Sequence, residues 1–235
     1  MPRISNTPWD DRRDKPQEDR PLTLRAISIP PANGDAPSHV FVALHGWGAN
    51  AQDVAGLARF LDLPGYQMIF PDAPFPFPFG PMGKIWYNLP TNYTFTSDPE
   101  LAKQPELVES RHLLTEWMRS LESSTGVPLS RTVMAGFSQG GAMTLDVGLS
   151  LPLAALVILS GYLHAPPRLE ATVKPPPVLM VHGRQDMVVP LHSAQGCRDA
   201  LKTSNITLTY HELDMGHEIP PAELKLVENF TQQGF

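Results

Sequence analysis

A single cysteine, Cys197, stands in the 235 residues. An internal disulfide is therefore excluded, and the thiol, which falls in a predicted helix, is expected to pack rather than react. No apolar run approaches the ~20 residues of a membrane-spanning helix. Residues 1–20 hold mixed charge and three prolines but no apolar stretch of the kind a secretory signal needs. These absences predict a soluble protein of a reducing, cytoplasmic compartment, without stable membrane insertion. Lys and Arg number 18 against 24 Asp and Glu, a net charge of −6. No basic patch emerges, so nucleic acid is not an expected partner. No group of His, Cys and carboxylates has metal-ligand spacing, so neither a metal nor a cofactor is expected. Nothing repeats at a fixed period, which sets aside solenoids and arrays.

Proline, by contrast, is abundant, with 26 in all. The prolines gather at 71–81, 164–167 and 175–177, where they punctuate connections rather than element interiors. The hydrophobic fraction of 42% supports a core, and the length suits one domain over 21–235 after a mobile tail at 1–20. Trp9 is the one tail residue suited to dock on the body.

Mainly apolar stretches of strand length occur at 39–44, 66–70, 132–135, 154–159 and 178–181, as expected of strands buried on both faces. Alternating stretches at 22–29 and 206–213 add an edge strand and a last strand. Helical periodicity covers about 52–61, 105–123, 139–150, 191–203 and 222–231, with Pro105 at a first-turn position. Strands alternating with helices predict an α/β fold, a mostly parallel central sheet flanked by helices on both faces. Residues 71–104 have no clear period and are rich in Pro, Phe, Tyr and Trp, which predicts a lid-like or binding segment.

One strand runs into Gly136-Phe-Ser-Gln-Gly140, a G-x-S-x-G turn. Such a turn lifts a serine above the sheet at a sharp strand-to-helix junction, with glycines where a Cβ would meet backbone. In a chain of this length the pattern arises by chance with a probability of roughly 0.1, so partners are needed. In open α/β sheets functional groups gather past the carboxyl ends of strands. Past those ends here lie His45-Gly-Trp-Gly48, Ser138, Ser160-Gly-Tyr162, His182-Gly-Arg-Gln-Asp186 and Asp214-Met-Gly-His217. Serine, acid and histidine follow in the order found in α/β-hydrolases.

His45-Gly-Trp-Gly48, Gly136-Phe-Ser-Gln-Gly-Gly-Ala-Met143, His182-Gly-Arg-Gln-Asp-Met-Val-Val-Pro190 and Met215-Gly-His217 together resemble the phospholipase/carboxylesterase family. This α/β-hydrolase group includes acyl-protein thioesterases and small bacterial carboxylesterases. The resemblance runs from about residue 22 to the C-terminus. It implies the α/β-hydrolase fold, with Ser138 as nucleophile, Asp186 as acid and His217 as base. The chemistry agrees, because a serine hydroxyl is a weak nucleophile until an imidazole can take its proton, and a carboxylate holds that imidazole in the right tautomer. The backbone N–H groups of Trp47 and Gln139 are the expected oxyanion donors.

His45 and His182 each precede a glycine inside a turn and are read as structural. Asp214 shares a loop with His217 and is read as a poorer partner for it than Asp186. Asp53 is expected to support the start of its helix. His39, His112, His164, His192 and His211 show no partner pattern. Phe79, Trp86, Tyr87, Tyr162 and Met215 are expected to line an apolar pocket for the acyl chain, with packing as the alternative for each. Tyr87, Asn88 and Trp47 depart from the family's common Trp-Phe-Asp and leucine. The resemblance implies a cofactor-free carboxylesterase acting on small-molecule or lipid acyl esters or thioesters. A lysophospholipase or lipase at a membrane surface is the alternative, and a non-catalytic binding protein is disfavoured because no triad member is missing.

Overall fold

Alternation along the strands builds the two faces of the sheet. The computed structural model describes residues 24–234; the tail predicted over 1–20, Trp9 included, lies outside them. In β2 (His39–Leu44), Val40, Val42 and Leu44 enter one apolar layer while Phe41 and Ala43 enter the other. The same two-residue period divides β6 (Thr132–Phe137), β7 (Ala155–Leu159) and β8 (Val178–Gly183) between the layers. Burial on both faces explains why these strands read as continuous apolar runs rather than alternating ones.

β1 (Ala26–Ile29), β3 (Tyr66–Pro71) and β9 (Leu208–Leu213) complete a seven-stranded sheet of order β1-β3-β2-β6-β7-β8-β9. All neighbours are parallel except β1, which runs antiparallel to β3 at the edge. Helices α2 (Pro105–Thr125), α3 (Gln139–Gly148) and α4 (Leu191–Thr203) cover one face. α1 (Ala51–Ala55) and α5 (Pro221–Gln232) cover the other. α2 starts on Pro105 and stops at Gly126, whose φ of 73° is left-handed.

Two local expectations change. The helix predicted over 52–61 is cut to α1 and a separate 3₁₀ turn at Ala58–Phe60, because Gly56 ends the first piece. Its start is held by a capping box: the Asn50 side chain accepts from the amides of Gln52 and Asp53, and the Asp53 carboxylate accepts from the Asn50 amide. The segment 71–104 is more ordered than its lack of period suggests. It holds a short hairpin of β4 (Phe75–Pro76) and β5 (Lys84–Ile85), then folds Trp86 and Tyr87 into the core.

Candidate active site

The turn after β6 is strained in the way its glycines predict. Ser138 has φ 54° and ψ −117°, a region that side-chain-bearing residues seldom occupy and that costs on the order of 1–3 kcal/mol. A Cβ on Gly136 would lie 2.2 Å from the Gly140 carbonyl oxygen, and one on Gly140 would lie 2.4 Å from that of Leu44. Neither position tolerates a side chain. The Ser138 amide donates to the Leu159 carbonyl at 2.8 Å, tying the turn to the end of β7.

Three strand-end loops bring Ser138, His217 and Asp186 together. His217 Nε2 lies 3.0 Å from Ser138 Oγ, and His217 Nδ1 lies 2.7 Å from Asp186 Oδ2. Asp186 accepts through its other oxygen from the amides of Val188 and Val189, at 2.9 and 2.8 Å. Burial works to raise its pKa, but the His217 hydrogen bond and these two amides outweigh it and hold the carboxyl below its ordinary value. The acid is thus ionised and oriented. Phe137 packs against the His217 ring, with centroids 4.7 Å apart.

The loop after β2 lies beside the serine. Gly46 lets it approach closely: a Cβ there would be 3.3 Å from both Ser138 Cβ and the Phe137 ring. The loop is clamped to the hairpin of 71–104 by Gly48 N–H to the Lys84 carbonyl and Lys84 N–H to the Ala49 carbonyl, at 2.9 and 2.8 Å. The amides of Trp47 and Gln139 make no hydrogen bond to any described residue, and both residues line the cleft with Ser138. Gln139 is the first residue of α3, so its amide is one of those a helix leaves without an internal acceptor.

His45 and His182 are wholly buried and serve structure. The Ala73 amide can only donate, so His45 accepts at Nε2 (3.0 Å) and donates from Nδ1 to the Gly46 carbonyl (2.8 Å). Burial lowers its pKa and keeps the ring neutral. His182 Nε2 donates to the Val189 carbonyl at 2.9 Å, bracing the loop that carries Asp186. Asp214 is turned outward to Arg184, at 2.7 Å.

A cleft of about 310 Å³ opens over Ser138, walled by Gly46, Trp47, Leu89, Phe95, Tyr162 and Val188, among others. Of the five residues expected to line an acyl pocket, only Tyr162 does so. Trp86 and Tyr87 are 0% exposed and belong to the core instead. Trp86 donates from its indole to the His45 carbonyl, and Tyr87 places its hydroxyl 2.7 Å from that of Tyr162. Met215 is buried in the opposite apolar layer, with its carbonyl against Gly183. Phe79 is 79% exposed, edge-on to Trp47 and Phe77 at the surface.

The main residue missed from sequence is Gln139, through its side chain. Its amide oxygen accepts from Trp86 N–H at 3.0 Å and its amide nitrogen donates to the Tyr87 carbonyl at 2.7 Å. A polar residue starting a helix that is otherwise buried, before Gly-Gly-Ala-Met143, was the only signal. A second unread network joins Arg111, Asp146, His164, Tyr87 and Tyr162 behind the cleft wall. Among the described residues no group of His, Cys, Asp or Glu is arranged to hold a metal ion.

Residues 30–234 match the family model described as Phospholipase/Carboxylesterase. The chain belongs to the phospholipase/carboxylesterase family. Within it, the chain is 32% identical over 151 residues to acyl-protein thioesterase 1 homolog 2 of Dictyostelium discoideum, covering 61% of this chain and 65% of that protein. It is 36% identical over 122 residues to acyl-protein thioesterase 1 of Neurospora crassa, covering 48% and 49%. The matched stretches thus span from about half to just under two thirds of those relatives. The crystal structure of esterase PE8 superposes with a TM-score of 0.81 at 30% identity, over 91% of this chain and all of that one. A phospholipase/carboxylesterase structure from Dyadobacter fermentans, at 24% identity and a TM-score of 0.70, shares the fold. The family's α/β-hydrolase fold is that of the sheet described above.

Proposed function

We propose that this protein is a serine hydrolase that cleaves acyl esters or thioesters through an acyl-enzyme. The observation that carries the reading is the hydrogen-bonded line from Asp186 Oδ2 through the His217 ring to Ser138 Oγ, at 2.7 and 3.0 Å, beneath an apolar cleft. Ser138 Oγ attacks the acyl carbonyl as His217 Nε2 takes its proton. The resulting oxyanion is received by the amides of Trp47 and Gln139, and such donors are worth about 3–4 kcal/mol each in comparable sites. His217 then protonates the leaving alkoxide or thiolate. Water, deprotonated by the same imidazole, releases the acid and restores the serine. Asp186 stays ionised throughout and stabilises the imidazolium. Every proton moves among the chain, the substrate and the attacking water, so the cycle calls on no cofactor.

Carboxylesterase activity on small acyl esters is the leading form. Labelling by an alkyl fluorophosphonate tests it: the native protein should be modified at Ser138, and Ser138→Ala should not. An unlabelled native protein overturns the reading. A second form, hydrolysis of acyl lipids at a membrane surface, is favoured by the apolar rim of the cleft, where Trp47 is 39% exposed and Val188 is 51% exposed. It predicts that turnover of a lysophospholipid rises abruptly above the micelle-forming concentration. A smooth saturation curve through that concentration leaves the first form alone.

A further inference from the structure

Phe95 stands between two cavities. It lines the cleft over Ser138 and also a second cavity of about 230 Å³ between residues 95–97 and α4. The second cavity is walled mainly by Leu163, Pro166, Cys197 and Ala200, with His192 and Ser193 contributing polar groups. By the volume of liquid water per molecule it has room for roughly eight water-sized groups, and a methylene is of similar size.

The partition is built rather than incidental. Phe95 has φ 56°, where a bulky aromatic is a genuine outlier. Its ring is held edge-on by Tyr93 and Tyr162, with centroids 5.0 and 5.1 Å away. Tyr162 is itself fixed from behind by the Tyr87 hydroxyl, which also meets His164 Nε2 at 2.6 Å. A strained backbone and a rigid aromatic seat thus hold one side chain between the cleft over the reacting serine and an apolar space that the proposed reaction leaves unused.

Building on the esterase reading, we propose that Phe95 sets the acyl-chain length this enzyme accepts. The cavity beside Cys197 is then a distal acyl subsite that opens to substrate only when the Phe95 ring is moved or removed. Chains that end within the cleft react without it. Longer chains need the second cavity and are limited by the ring.

Two substitutions test this in opposite directions. Phe95→Ala removes the partition, and Phe95→Gly does so while also relaxing the left-handed backbone. Gly196→Leu fills the second cavity from α4, where a Cβ on Gly196 would meet nothing within 4 Å. The readout is the ratio of kcat/KM for p-nitrophenyl palmitate to that for the acetate, through a series of intermediate lengths. Each newly buried methylene contributes about fourfold, so two or three of them should raise the ratio by roughly 15- to 60-fold in Phe95→Ala and Phe95→Gly. Adding Gly196→Leu should return the ratio to its native value. An unchanged ratio in both Phe95 variants overturns the proposal, as does a gain that survives Gly196→Leu. Calorimetric binding of saturated fatty acids of increasing length follows the same comparison without turnover. Loss of the esterase reading and loss of the partition are therefore separable results.

Discussion

Replacing Gln139 should reveal how the segment 71–104 is attached to the catalytic platform. The side chain is fully buried and spends both ends on backbone, accepting from Trp86 N–H and donating to the Tyr87 carbonyl. Gln139→Met keeps much of the volume and removes both partners. Each buried backbone group left unpaired costs about 1–3 kcal/mol, so the variant should lose roughly 2–6 kcal/mol. For a domain of this size that is a fall in Tm of roughly 4–24 °C, at about 2–4 °C per kcal/mol. Gln139→Glu makes the test sharper. An ionised carboxylate can still accept from Trp86 N–H but faces the Tyr87 carbonyl with a second acceptor. Once protonated it can donate there as glutamine does. Its stability deficit should therefore shrink on acidification, whereas that of the methionine variant should hold constant. Urea unfolding of the three proteins between pH 5 and 8 measures this. A methionine variant within about 0.5 kcal/mol of the native protein, the range of an inert surface change, would refute the clamp.

Tyr87→Phe removes the hydroxyl shared by Tyr162 and His164 and should cost about 1–3 kcal/mol for the polar groups it strands; equal midpoints in urea would contradict this. Glu223 is buried without a hydrogen-bond partner on either oxygen, and burial pushes its pKa up from 4.5 to about 8. The native state therefore holds this proton where the unfolded chain has released it, so stability is fullest below pH 4.5, falls as pH rises and levels above pH 8. Glu223→Gln should remove that loss, leaving the variant on the order of 5 kcal/mol more stable than the native protein at pH 9; parallel pH–stability curves would count against it. Asp186→Asn should keep the fold and lower kcat for short esters by about 10⁴-fold, because an amide favours the wrong imidazole tautomer. A tenfold loss or less would assign Asp186 a lesser role.

The places where sequence reading worked share a local cause. A strand buried on both faces leaves an apolar run that no solvent-facing position interrupts, so β2, β6, β7 and β8 were visible within two residues of their ends. Gly136 and Gly140 mark a turn whose crowding allows no Cβ, and the parallel sheet carries Ser138, Asp186 and His217 to the same edge. The failures share a cause too. Trp86, Tyr87 and Phe79 lie in an aromatic segment that the family resemblance sets beside the active site, and Met215 lies in the loop of His217. Their fates diverge because burial in an aperiodic segment depends on distant partners. Trp86 is bound by Gln139 and by the Ser110 hydroxyl, and Tyr87 by Gln139 and Tyr162. Phe95 stays at the cleft, its ring seated edge-on against Tyr93 and Tyr162.

The amino-acid sequence by itself determined the layered sheet, the strained serine turn and the identity of the three residues gathered around it. Each of these is written in a short-range rule: a two-residue period, a missing Cβ, a position one to four residues past a strand. Only the tertiary structure decided the shape of the space above the serine. Which aromatic rings wall it, which lie beneath it and which one closes off the second cavity are set by hydrogen bonds and ring contacts between residues as far as 77 positions apart. Packing energies of that kind depend on the neighbours that folding supplies, and no local pattern carries them.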